Sequence, residues 1–502
     1  MAVLLGIDVG TTGVRVVAVA TAGQVVADAS EGFSLATPRP GWAEQNPEDW
    51  WTATYGALET VIAGLDDEVI GIGLTGQMHG SVFLDEHDAV IRPALLWNDQ
   101  RTEAQCREIT ERVGADRLIA IAGNPALTGF QAPKTLWLRD EEPDNYARVR
   151  RVLLPKDYVR LRLTGELATD ASDASGTLLA DMVARDWSSE ILDALDIPKA
   201  WLPRIHEGPD IAGHVTGDLT RSLRLPGRVP VAAGGGDNAA AAVGTGTITA
   251  GVVSSSIGTS GVLFAHTAEF TPDPTGRIHA FCHAVPDQYH VMGVTLSAGG
   301  SLGWWRNLLG SDVTYDELVG AAADVGPGSD GLVFLPYLSG ERTPHLDPSA
   351  RGAWFGLTSS HTRAHMTRAL MEGVVFSLKE ALAIMTDMGV QCDEVRATGG
   401  GARSPLWRSL QADIYGLPIH RTEAEEGPAF GAALLAGVAA GVYEDVAAAC
   451  SRIAMHDDVV EPDAGCSGVY TEAYDVYRSL YPRTRDGMKR LALLASPRGA
   501  GA

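Results

Sequence analysis

The alternation of apolar and polar positions divides the first eighty residues into discrete elements. Residues 3–8 and 14–20 are apolar runs rich in β-branched side chains, and the small-residue turn GTTG separates them, which predicts a β-hairpin. Residues 24–29 supply a third strand. The segment QNPEDWW then reads as a helix start. Asn46 is placed as the N-cap, Pro47 as the first helical residue, and Glu48 and Asp49 near the positive helix end. This helix is predicted to reach about Gly64, and VIGIGLTG at residues 69–76 predicts a buried strand ending in glycine. Strands come first and an alternating layer follows, so the fold class is α/β.

A similar order returns after Gly251. GVVSSSIGTSGVLFAHT reads as a second hairpin, residues 363–388 as a long helix, and EVRATGGG as a strand. A helix from Ser404, a strand LPIHRT and a last small-residue helix from near Pro428 follow. Two halves of like order, each opening on a GT[TS]G turn, predict duplication of one unit, with domains at 1–246 and 247–502. A turn of small residues exposes successive backbone N–H groups that can cradle phosphate oxygens. Two such turns would face each other if duplicated domains close on a cleft.

Length and charge narrow the partners. A chain of 502 residues exceeds one hydrophobic core. A net charge of −24 disfavours nucleic acid and anionic membranes, so any phosphate must be held by local backbone groups. No GxxxxGK[ST] occurs. Residues 238–265 carry no charge, but their Gly, Ser and Thr content predicts a small-residue helix followed by strands, not a membrane span. The five cysteines form no CxxC or zinc-like spacing and are expected to be reduced, mostly buried and cytoplasmic. No basic region precedes the first apolar run, so that run is not read as a signal peptide.

Three residues carry candidate chemistry. Asp8 interrupts a buried strand, where a charge must be paired or bound. It is either a structural aspartate bonded to turn amides or a carboxylate facing a metal and phosphate. Asp237 follows three glycines at the end of VPVAAGGG, which leaves room for a substrate. It is either a catalytic base or the N-cap of a helix over 238–243. His79 follows a glycine-bounded strand and is either structural or a hydrogen-bonding group for a substrate.

Taken in order, five segments resemble the FGGY carbohydrate kinases: DVGTTGVR, FQAPKTLWL, GGGDNAAAAVG, GAWFGLTSSHTRAHMTRALMEG and TGGGARS. The resemblance implies two duplicated ribonuclease-H-like domains of the actin-like ATPase fold around a central cleft. It implies ATP and Mg²⁺ as cofactors, Asp237 as general base, and Asp8 as a catalytic residue on the metal side. Met78, His79, Asp237 and Asn238 would bind sugar. Thr11, Thr12, Gly13, Arg15, Thr259, Gly299, Gly400 and Ser404 would bind nucleotide. Ser404 replaces an asparagine of some relatives, and Gly303 replaces a longer polar residue, which suggests a more open adenine pocket. Within the family, GQMHG, WAEQNPEDWW, WNDQRT, LLPKDYVRLRLTGE and LPYLSGERTPH are similar to segments of the members that act on xylulose.

The implied reaction is therefore D-xylulose to D-xylulose 5-phosphate. Another ketose or a pentitol (ribulose, ribitol, arabitol) is the alternative substrate. A non-catalytic sugar-sensing ATPase of the same fold is the alternative class. The expected partners are a sugar and ATP, with no nucleic acid and no membrane; a homodimer is compatible with the sequence but not required by it. Trp97, Asn98 and Asp99 form a second loop that could close the sugar pocket, and His345 reads as structural.

Overall fold

The computed structural model describes residues 2–310, 312–424 and 427–495. They form two compact units. The first comprises Met1–Thr249, His266–Val291 and Glu423–Ala454, and the second comprises Ala250–Ala265, Met292–Thr422 and Met455–Ala502. The first crossing lies close to the expected division at 246/247, but two later segments return to the first unit.

The first unit is organised by a twisted sheet. Its strands are β1 (Ala2–Val9), β2 (Gly13–Ala20), β3 (Val25–Gly32), β4 (Glu68–Gly76), β5 (Ile211–His214) and β6 (Pro230–Ala232), in the order β5-β6-β4-β1-β2-β3. A short β7 (Gly235–Gly236) also pairs with β4. β1 and β2 form the expected hairpin, and β1 runs parallel to β4. Helix α1 (Pro47–Ala63) begins as predicted, with the Asn46 side chain accepting the Glu48 N–H at 3.3 Å, and ends at Gly64.

Both faces of this sheet are covered, as the strand periodicity requires. Val3, Leu5, Ile7, Val14 and Val16 share one core with Trp50, Leu58 and Val61. Leu4, Val17 and Val19 share the other with the helix Gly427–Ala439 through Phe430, Ala433 and Leu434. This helix returns to the first unit because its small residues fit closely there. A Cβ on Gly6 or Gly73 would lie within 2 Å of the helix carbonyl oxygens of Ala429 or Ala432. Glycine at these two sheet positions sets the depth of the contact.

In the second unit, Gly251–Ile257 pairs antiparallel with the strand Gly261–Thr267, and parallel with Cys392–Thr398. The latter pairs in parallel with Ile419–His420. The helices Gly299–Leu309, Arg363–Asp387 and Pro405–Tyr415 pack in this unit. The helix from Gly427 is not the last. Val446–Cys450 follows, and then a 29-residue helix, Ser467–Ala495. The latter turns Tyr470, Tyr474, Tyr477 and Tyr481 inward at helical spacing. Three of the hydroxyls are bonded: Tyr470 donates to Glu372 at 3.1 Å, Tyr477 pairs with Tyr337 at 3.0 Å, and Tyr481 donates to Asp347 at 2.7 Å. An aromatic face with polar tips does not read as an apolar stripe, which is why the sequence concealed this helix.

Residues 238–265 form helix followed by strands, and no described helix is long and apolar enough to cross a membrane. None of the five cysteines is in a disulfide. Cys106 and Cys282 are buried, whereas Cys392, Cys450 and Cys466 are partly exposed, so burial is less complete than expected.

Candidate active site

Strand register brings the two acidic candidates together. Asp8 of β1 lies beside Thr75 of β4, and Thr75 lies beside Gly235 of β7. Asp237 follows β7 directly as the first residue of helix α2 (Asp237–Thr245). Both carboxylates thus emerge at the carboxyl ends of the two parallel strands that pair with β4, where open α/β sheets present their ligand sites.

Burial pushes Asp8 up to about 7, the charge of Asp237 adds to the shift, and Arg15 opposes it from the facing position on β2. The Oδ1 atom of Asp8 is buried without a hydrogen-bond partner. Burial also pushes Asp237 up to about 6, against two bonds that its Oδ1 accepts from Asn238: the backbone N–H at 2.7 Å and the side-chain amide at 2.8 Å. The N-cap of this helix is Gly236, so the capping reading of Asp237 does not hold.

The strand β4 ends in a tight turn over residues 78–80. Gly80 donates its N–H to the Met78 carbonyl at 2.9 Å, and His79 between them has φ 68°. This is a γ-turn of the rarer, strained hand. The His79 Nδ1–H donates to the Gly176 carbonyl at 2.6 Å. Met78 is buried. A Cβ on Gly236 would lie 2.9 Å from its Cγ, and one on Gly176 would lie 2.7 Å from His79 Nδ1. The sugar-side candidates Met78, His79, Asp237 and Asn238 therefore meet around these two glycines.

The candidate phosphate turn lies next to this loop. Gly10 donates to Gly13 at 3.0 Å, and Thr12 is exposed. Thr11 faces inward: its hydroxyl accepts from Trp97 Nε1 at 3.0 Å and donates to Gln77 Oε1 at 3.3 Å. Trp97, from the second loop, thus braces the turn. Arg15 forms an ion pair with Asp28 at 2.9 Å on the strand surface.

The second unit holds a cleft of about 1200 Å³. Thr259, Gly299, Gly400, Ser404 and Gly303 all line it, with Trp304 and Tyr315 among its apolar walls. The helix Gly299–Leu309 starts against the hairpin turn. Gly299 and Gly300 donate to the carbonyls of Gly258 and Thr259 at 2.8 and 3.0 Å, and a Cβ on Gly299 would lie 2.6 Å from Gly258 O. Ser404 caps the helix Pro405–Tyr415 through its hydroxyl. A glycine-lined floor with aromatic walls suits a flat base and its ribose.

Two family descriptions match the chain. The N-terminal domain of the FGGY family of carbohydrate kinases matches residues 3–244, and its C-terminal domain matches residues 253–440. The chain belongs to the FGGY family of carbohydrate kinases. It is a phosphotransferase with an alcohol group as acceptor. This FGGY kinase is 41% identical to a xylulose kinase of Escherichia coli (strain K12), over 95% of its own chain and 98% of that protein. It is 39% identical to a xylulose kinase of Lactococcus lactis over 97% and 98% of the two chains. A ligand-bound xylulose kinase from Lactobacillus acidophilus superposes with a TM-score of 0.93 at 26% identity, covering 98% and 100% of the two chains.

The candidate site of this FGGY kinase also rests on polar residues that sequence reasoning passed over. Gln77 and Gln45 lie beneath the phosphate turn: the Gln45 amide donates to Thr11 O at 2.7 Å and the Gln77 amide to Gly10 O at 3.2 Å. Under Asp237 lies a fully buried ion cluster. Lys156 contacts Asp157 and Asp170 at 2.7 Å and Asp173 at 3.1 Å, and Arg160 binds Asp157. Ser172 donates to Asp170 and accepts the Gly236 N–H at 3.0 Å, which ties the cluster to the residue before Asp237. Burial holds the Asp173 carboxyl well above its usual range, with Lys156 opposing. A buried lysine reads like a surface lysine in sequence; the weak signal was LLPKDYVRLRLTGE, with its charges inside an apolar frame.

Proposed function

We propose that this carbohydrate kinase transfers the γ-phosphoryl group of ATP to D-xylulose, giving D-xylulose 5-phosphate and ADP. The observation that carries the reading is the pairing of two raised carboxyls, Asp8 and Asp237, beside the His79 turn. Relatives that bear the name xylulose kinase over nearly the whole chain support the choice of sugar.

Asp237 is the general base. With its carboxyl at about 6 it is ionised near pH 7, yet basic enough to accept a hydroxyl proton. The bond from the sugar oxygen to the γ-phosphorus forms as the bond from that phosphorus to the β–γ bridging oxygen breaks, and ADP leaves. Asn238 holds Asp237 Oδ1 in place through two hydrogen bonds. The His79 Nε2 accepts a sugar hydroxyl, Met78 packs against the carbon frame, and Asn238 adds a polar contact.

Thr11, Thr12 and Gly13 form the first phosphate turn, with the positive charge of Arg15 across the hairpin. In the cleft of the second unit, Thr259, Gly299, Gly400 and Ser404 are the nucleotide-binding residues of this reading. The buried, unpartnered Asp8 Oδ1 fits Mg²⁺, which takes one or two carboxylates together with phosphate oxygens. When bound there, Mg²⁺ supplies positive charge to the transferring phosphoryl group. Free cysteines throughout suit a reducing cytoplasm.

The test is ADP release on D-xylulose, D-ribulose, ribitol and D-arabitol, each against a sugar-free blank. The highest kcat/KM is expected on D-xylulose. Equal ADP release without sugar would contradict the assignment and favour a sugar-independent ATPase.

A further inference from the structure

We infer that Lys134 is a positioning residue for sugar recognition: with Phe130 and Gln131, it holds the turn over residues 78–80 in the conformation that presents His79. The inference rests on the proposed contact between His79 and the sugar. Its starting point is a group with no part in the chemistry above. Lys134 is completely buried on the helix Gln131–Glu141, and among the described residues no carboxylate pairs with it. Its ammonium donates instead to two carbonyls, His79 O at 2.8 Å and Gly129 O at 2.6 Å.

One helical turn earlier, on the same face, the buried Gln131 amide donates to Gly80 O at 3.0 Å and to Leu153 O at 3.1 Å. The Phe130 ring lies 4.6 Å from the His79 ring, centroid to centroid. Three residues of FQAPK thus grip two successive residues of a strained turn, through two carbonyls and one imidazole. A non-glycine residue at φ 68° persists only where its surroundings over-determine it.

The donors of Lys134 do this, and its charge is not required. Burial pushes the Lys134 amine down to about 7, with Asp99 opposing. The neutral amine still carries two N–H groups, which match the two carbonyls. A methionine in its place keeps the stem and removes both donors.

The experiment compares Lys134→Met, Gln131→Leu and His79→Ala with the wild type in steady-state kinetics on D-xylulose and D-ribulose with Mg·ATP, alongside thermal melts. Lys134→Met is expected to raise the KM for D-xylulose on the order of tenfold to a hundredfold, as for buried hydrogen bonds lost. It should narrow the preference over D-ribulose and leave the KM for ATP within about twofold. Gln131→Leu should move the same parameters less.

A loss of stability with the sugar KM and preference unchanged would overturn the inference and reduce Lys134 to a core residue. If Lys134→Met does not fold, Gln131→Leu decides in its place, and an unchanged D-xylulose KM there overturns the inference. His79→Ala separates the two levels. An effect of His79→Ala without one from Lys134→Met or Gln131→Leu defeats this inference alone. No effect of His79→Ala defeats the sugar-site reading and the inference with it.

Discussion

Replacing Asp237 by asparagine should make the protein more stable and nearly inactive at once. The side chain is held in a place that disfavours its charge, with a folded pKa of about 6 against 3.8 in an open chain. That difference corresponds to about 3 kcal/mol against the ionised form. Solvent reaches part of the side chain, so a gain of about 1–3 kcal/mol is expected for Asp237→Asn at pH 8. The sign follows from the raised pKa. Stability from the protonated carboxyl is fully present below pH 3.8 and is lost as pH rises through about 6. The advantage of the variant should therefore be close to zero at pH 4 and complete above about pH 7.

Both hydrogen bonds from Asn238 can be accepted by an asparagine oxygen, so local geometry should survive. Removal of the base should lower kcat by on the order of 10²–10⁴. The assay is denaturant unfolding of ligand-free wild type and variant at pH 4 and pH 8, paired with kcat on D-xylulose. Equal midpoints at both pH values, or a kcat within a few-fold of wild type, would refute the reasoning.

Other predictions follow from the same geometry. Wild-type kcat/KM for D-xylulose should fall as pH drops through the range of about 6 to 7, where Asp237 and Asp8 take up protons, and a flat pH–rate profile down to pH 5 would count against both roles. Gly299→Ala places a Cβ 2.6 Å from Gly258 O, so the KM for ATP should rise while that for D-xylulose holds, as steady-state kinetics would show. Tyr470→Phe leaves Glu372 and Arg368 without a shared buried hydroxyl. It should cost about 1–3 kcal/mol in denaturant unfolding with no change in either KM.

The sequence disclosed most where local chemistry and periodicity agree. The hairpin around GTTG, helix α1 with its Asn46 cap, and strand β4 all follow from alternating apolar positions and cap residues. It disclosed less where a residue type behaves against its usual habit. Lys134 and Lys156 are fully buried although lysine is a surface residue by habit, and partners such as His79 O and Asp170 lie outside their own helices. Gln45 and Gln77 support the GTTG turn from 34 and 67 positions away in sequence, a pairing that no local pattern encodes. Thr11 is legible as a turn residue, but that its hydroxyl points to Trp97 is a tertiary fact. The return of Gly427–Ala439 to the first unit depends on Gly6 and Gly73 offering bare backbone, which becomes meaningful only once the helix is seen against them.

The most direct test of the account is the identity of the product. Wild-type enzyme is incubated with D-xylulose and Mg·ATP, and the phosphorylated sugar is assigned by phosphorus and carbon NMR. The account predicts a single monoester on the C5 oxygen, one ADP formed per sugar phosphorylated, and no ADP above background when the sugar is omitted. Inorganic phosphate formed at the same rate with or without the sugar, and no sugar phosphate, would contradict it.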